Sequence, residues 1–168
     1  MAYNFNADEI LKLAEEIERN GGRFYTLAAE KSKSSPTRQF FTELASMEKE
    51  HEKVFTSLRS KLTAKEQAPV TFDPDEETAQ YLKALAGVSV IDEKAKNAFA
   101  LAEGLTHKEG LAKTLRAAID LEKDSVVFYL GLKDLVPKHL GRERVDEIIR
   151  EEMRHIRLLG GRLSSLKP

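Results

Sequence analysis

A chain of 168 residues, 33% charged yet with a formal net charge of −1 and no basic block, is poorly suited to nucleic acid or to an anionic membrane surface. It holds no cysteine, which excludes disulfides, thiolate-held zinc and iron–sulfur clusters within it, and no run approaches the ~20 apolar residues of a membrane span. The 41% hydrophobic share fits a single helical domain over residues 1–168; the N-terminus lacks the basic and apolar segments of a signal peptide, so a cytoplasmic protein is expected.

The first long helix is predicted from about Ala7 to Lys33, with Asn6 as N-cap and Glu9 completing a capping box. Ser35-Pro36 reads as the N-cap and first residue of a second helix that continues to about Lys65. The link between them is short, so the two are antiparallel neighbours. Residues 66 to about 105 read as a crossover carrying two short helices, near 75–86 (capped by Asp73) and near 92–103. Thr106 with Glu109 opens a third long helix, about 107–135, which Pro137 stops; a fourth follows over about 141–165. The fold class is all-α: a four-helix bundle with a long crossover between the second and third long helices, which makes those two parallel. Each long helix would span roughly 40 Å.

The chain repeats itself at an offset of 104 residues: Glu18 recurs as Glu122, Glu48 as Glu152 and His51 as His155. Ala14, Phe24-Tyr25 and Leu44 recur as Ala118, Phe128-Tyr129 and Ile148. The register puts all six ionisable residues inside. In the second helix the apolar stripe Phe41, Leu44, Phe55, Leu58 runs through Glu48 and His51, and in the fourth Val145, Ile148, Leu159 runs through Glu152 and His155. Glu18 lies on the stripe Leu11, Ala14, Gly21, Tyr25, and Glu122 on Leu115, Ala118, Ser125, Tyr129. Four unpaired buried carboxylates would cost several kcal/mol per ion. No Lys or Arg lies on these stripes at that level. Two divalent cations would neutralise the four carboxylates, and two neutral imidazoles would complete the shells. One lone Glu or one Glu-x-x-His per helix is what a carboxylate-bridged metal pair needs from a four-helix bundle. An oxygen-rich donor set with two imidazoles favours iron or manganese over tetrahedral zinc.

At these residues the chain resembles the ferritin-like diiron carboxylate superfamily, and within it the rubrerythrin-like proteins. The segments that carry the likeness are Ala14-x3-Glu18-x5-Phe24-Tyr25, Glu48-x2-His51, Ala118-x3-Glu122-x5-Phe128-Tyr129 and Glu152-x2-His155. The resemblance implies that Glu18 and Glu122 are terminal ligands, that Glu48 and Glu152 bridge two irons, and that His51 and His155 each bind one. Two features depart from typical rubrerythrins. The four cysteines of a rubredoxin-type site are missing, so electrons are expected from an external donor. The extra glutamate one turn from the lone one on the third helix is missing too, because Ile119 and Ser125 flank Glu122; the resemblance does not extend to the redox-linked ligand exchange of that family. Lys49 stands where bacterioferritins place a haem-binding methionine, so no haem is expected.

The resemblance implies an oxidoreductase that reacts with hydrogen peroxide or dioxygen, and a homo-oligomer, a dimer, is expected. The same ligands also serve a ferroxidase that feeds iron storage, or a bundle whose metal is a stabiliser. A shell of many subunits would mark storage, and rapid reoxidation by peroxide would mark the enzyme. Around the centre, the hydroxyls of Tyr25 and Tyr129 are positioned to orient ligating carboxylates of the opposite hairpin. Gly21 either leaves room for a small oxidant or lets two helices approach closely. Met47 and Met153 read as packing residues. Glu15, Glu16, Glu50 and Glu151 fall off the stripes and read as solvated faces, with Glu151 also within reach of a supporting role. His107 and His139 read as solvated helix ends.

Overall fold

The computed structural model describes residues 6–67, 107–133, 136 and 138–166. The two crossover helices, the Asp73 cap, the Thr106 cap and the Pro137 stop all lie outside the described residues. The rest forms four long helices, with no strand among the described residues. They are α1 (Ala7–Lys31), α2 (Ser35–Ser60), α4 (His107–Leu132) and α5 (Arg142–Ser164); a single turn, α3 (Ala64–Gln67), follows α2. No helix among the described residues is long and apolar enough to cross a membrane.

The start of α1 follows from its capping box. The Asn6 side chain accepts from Glu9 N at 2.8 Å, and Glu9 Oε2 accepts from Asn6 N at 3.3 Å. Such a cap contributes about 1 kcal/mol. The cap of α2 sits one residue earlier than the sequence pattern indicates: Ser34 accepts from Thr37 N at 3.2 Å, and Pro36 falls in the first turn. This helix also ends earlier, at Ser60 rather than near Lys65, because the chain turns at Lys61 and runs irregularly through Leu62 and Thr63 before α3 starts. Before α5, a turn of 3-10 helix over Lys138–Leu140 leads to Gly141 at φ +95°, a left-handed conformation that suits glycine.

Cross-helix contacts fix the directions. Arg59 near the end of α2 holds Asp8 near the start of α1 at 2.7 Å, while Tyr25 near the end of α1 stacks on Phe41 near the start of α2, so these helices are antiparallel. Tyr25 pairs with Glu122 and Tyr129 with Glu18, which runs α1 against α4. Arg162 donates to Thr37 at 2.9 Å and His51 meets Glu151, which runs α5 against α2. By these directions α2 and α4 are parallel, and the hairpins α1–α2 and α4–α5 face each other across a pseudo-twofold axis.

Two apolar clusters fill the bundle, one on each side of mid-length. One contains Leu11, Ala14, Phe55, Tyr129, Val145 and Ile148. The other contains Leu115, Ala118, Leu159, Tyr25, Phe41 and Leu44. Each residue in the first set has its repeat mate in the second, at the same offset of 104. Between them lies the layer of ionisable residues.

Candidate metal centre

All six sequence-predicted residues meet in this layer, and all are buried, with Glu152 at 0% and His155 at 1% exposure. They form two overlapping groups: Glu18, Glu48, His51 and Glu152, and Glu48, Glu122, Glu152 and His155. Within each group, one oxygen or ring nitrogen per residue lies within 4.8 Å of all the others. Glu48 and Glu152 belong to both. The Nδ1 atom of each histidine points into the layer. His51 Nδ1 is 2.8 Å from Glu152 Oε1 and 3.4 Å from Glu18 Oε2. His155 Nδ1 is 3.0 Å from Glu152 Oε2, 3.3 Å from Glu48 Oε1 and 3.5 Å from Glu122 Oε1. The rings stack with centroids 5.7 Å apart.

The donor atoms are incompletely satisfied by the protein. Glu18 Oε2, Glu48 Oε1, Glu152 Oε1 and His51 Nδ1 are buried and make no hydrogen bond of proper geometry. Among the described residues, every ion pair of these four glutamates is to a histidine. Buried polar atoms almost always have partners, so converging orphans mark a place built for something else. An oxygen-rich set with two imidazoles, clustered this tightly, fits a pair of hard divalent cations.

The tyrosines reach across the hairpins. Tyr129 donates to Glu18 Oε1 at 2.5 Å, and Tyr25 donates to Glu122 Oε1. Both hydroxyls are fully enclosed, with Tyr25 at 1% and Tyr129 at 0% exposure.

A family model for rubrerythrin matches residues 9–163 of the chain, which takes in all four long helices. The chain belongs to the rubrerythrin family. Among solved structures, a Thermotoga maritima protein described as a ferritin-like diiron-carboxylate protein is similar with a TM-score of 0.69 and 23% identity, over 99% of this chain and 100% of that one. At that identity the likeness speaks for the fold, a ferritin-like four-helix bundle. No curated protein sequence gives a significant match.

The electrostatics of the layer without metal follow from burial. Burial raises the pKa of Glu18, Glu48 and Glu122, and the charge of Glu152 adds to each; Glu122 is pushed up to about 8. Burial also works against the charged forms of His51 and His155, but the carboxylates that crowd each ring outweigh it and push both up to about 12. Glu152 is likewise desolvated, yet the two histidines hold it below the usual carboxylate range. The metal-free layer thus keeps its charges balanced with protons that a metal pair would displace.

Some neighbours differ from the sequence reading and others match it. A Cβ on Gly21 would stand 2.9 Å from Glu48 Oε2, so the space beside this glycine holds the Glu48 carboxylate itself. Glu15 is buried rather than solvated, because Arg59 reaches over from α2 to within 3.3 Å of it. Met153 is 49% exposed and does not pack in the core. Met47 is half-buried and packs against the second apolar cluster as expected, and its Sδ also lies 3.2 Å from His155 Nε2. Glu151 is exposed, yet its Oε2 lies 2.8 Å from His51 Nε2. His107 and His139 are exposed. The Met47 contact went unread because methionine on a stripe edge looks like packing; the one sequence signal was its place at the repeat offset from Glu151.

Proposed function

We propose that this protein is a dinuclear iron oxidoreductase that reduces hydrogen peroxide or dioxygen with electrons from an external donor. The observation that carries the reading is the sharing of Glu48 and Glu152 between two overlapping donor groups, with buried donor atoms left unpartnered between them. Glu18, Glu48, His51 and Glu152 would hold one ion, and Glu48, Glu122, Glu152 and His155 the other. Iron is the family's metal, and manganese suits the same donors.

The chemistry such a pair supplies when bound is two-electron reduction of an O–O bond, one electron from each ion. The protein's own residues prepare for it. Tyr129 and Tyr25 hold the terminal carboxylates Glu18 and Glu122 in place, and burial beside those carboxylates raises both phenols well above their ordinary pKa, so they stay protonated donors. Gly21 admits the Glu48 carboxylate to the layer. The two apolar clusters keep bulk water from above and below. A cleft of about 330 Å³ between α1 and α2, with Glu18, Gly22 and Ala45 in its wall, is the route for a small neutral oxidant. The whole chain forms one domain around this centre and works as a dimer in the cytoplasm. The 168 residues hold no cysteine, so no iron–sulfur relay lies within them and the electrons reach the centre from outside this domain.

The test is anaerobic ferrous loading, then stopped-flow oxidation with peroxide and with dioxygen side by side. Two irons per chain and reoxidation faster than that of free ferrous ion are expected. One iron per chain, or a loaded protein inert to both oxidants, refutes the proposal.

A further inference from the structure

The two histidines present the same nitrogen inward and differ in what holds the other. His51 Nε2 lies 2.8 Å from the Glu151 carboxylate, whereas His155 Nε2 lies 3.2 Å from the Met47 thioether. Met47 and Glu151 occupy one position of the repeat, each immediately before a shared glutamate. The same backbone placement, used twice, therefore delivers a charged acceptor to one ring and a neutral sulfur to the other. The tyrosine pair shows no such difference, since both phenols meet carboxylates.

The difference matters because of tautomers. An imidazole that binds a metal through Nδ1 carries its proton on Nε2, and that N–H needs an acceptor. A carboxylate accepts strongly and raises the basicity of the ring; a thioether accepts weakly. Carboxylate partners of this kind change metal affinity by about 10–100-fold. The Glu151 side chain is 54% exposed, so solvent screening puts the effect toward the lower end.

We infer that Glu151 and Met47 make the two metal positions unequal, with a tight position at His51 and a labile one at His155. The inference rests on the dinuclear reading above. Both are positioning residues that act through the rings. At limiting metal the chain then holds a single ion at His51. It completes the pair, and becomes competent for two-electron chemistry, only when metal is plentiful. The labile position thereby couples activity to metal supply.

Calorimetric titration of the metal-free full chain with ferrous ion, under anaerobic conditions, tests this. Two binding steps are expected in the native protein, with His51→Ala removing the tighter and His155→Ala the weaker. Glu151→Met should weaken the first step about ten-fold or more. The exchange variant, Met47→Glu with Glu151→Met, should restore two steps with the assignment reversed, so that His155→Ala now removes the tighter. Repulsion between two cations also separates the steps, but it does so whichever residues flank the rings, so the reversal is decisive. General loosening of the fold cannot produce it. Steps that keep their assignment in the exchange variant, or a native protein that loses the same step with either histidine variant, overturn the inference while leaving the dinuclear reading intact. Fewer than two ions per chain in the native protein overturns both.

Discussion

The two apolar ends of the bundle and the ionisable layer between them are made by the same four helices and the same repeat, yet they act on stability with opposite sign. At one end Leu11 and Phe55 are buried in the apolar cluster, at the other Leu115 and Leu159, and removal of their surface from water drives the helices together. In the layer, four carboxylates and two imidazoles lose their hydration and regain it only in part from each other. The ends hold the helices at a spacing that the layer alone would not choose. A costly site near mid-helix can thus be kept rigid by two cheap cores above and below it.

This contrast can be broken most forcefully at an end. Phe55 is 0% exposed and packs on Tyr129 at 5.1 Å between centroids. Phe55→Ala should cost about 3–5 kcal/mol in chemical denaturation, as a large cavity opens in the core. A loss below 1 kcal/mol would mean that the end does not support the layer.

The next effect is in the layer and depends on pH. Glu122, raised to about 8, and His51 and His155, raised to about 12, all bind protons more tightly in the folded chain than in the unfolded one. Their stabilising contribution is full below the unfolded values and drains away as pH rises through the folded ones. Metal-free protein should therefore lose stability from pH 6 to pH 8, by about 1.4 kcal/mol per pH unit for each extra proton held. Metal affinity should rise over the same interval, because metal must displace those protons and their release becomes easier as pH rises. Melting curves of metal-free protein that are flat or rising across this range would contradict the layer described here.

A smaller effect sharpens the distinction between stability and site. Glu18→Gln combined with Glu122→Gln removes two of the mutually repelling acids while keeping their shape. The metal-free double variant should be more stable by about 1–2 kcal/mol, the cost of burying imperfectly paired polar groups, and should bind metal more weakly. Unchanged melting together with unchanged metal content would show that neither carboxylate is constrained as its burial implies.

The smallest expected change comes from Tyr129→Phe, which deletes one hydrogen bond to Glu18 and leaves the ring packed on Phe55. It should cost about 1 kcal/mol in the metal-free protein. It should also lower affinity mainly at the position that uses Glu18. An equal loss at both positions would mean that the phenol supports the layer in general rather than one carboxylate.

Periodicity carried much of this into the sequence. Helical register is local: residues three and four apart share a face whatever the partner is, so Glu48 and His51 on the stripe of Leu44 and Phe55 were legible as inward-pointing, and the repeat extended that to Glu122, Glu152 and His155. Caps are local too, which is why Asn6 and Glu9 mark the start of α1, and why Ser34 was missed by only one residue beside an equally good Ser35. The sequence by itself determined the helices, their inward faces and the composition of the central layer. Only the tertiary structure decided what lies across from each face. It put Arg59 over Glu15, the Glu48 carboxylate against Gly21, and Met47 and Glu151 behind the two histidines. Those contacts join residues on different helices, and the distance between helices is set by how whole side chains interlock, which no spacing along one helix encodes.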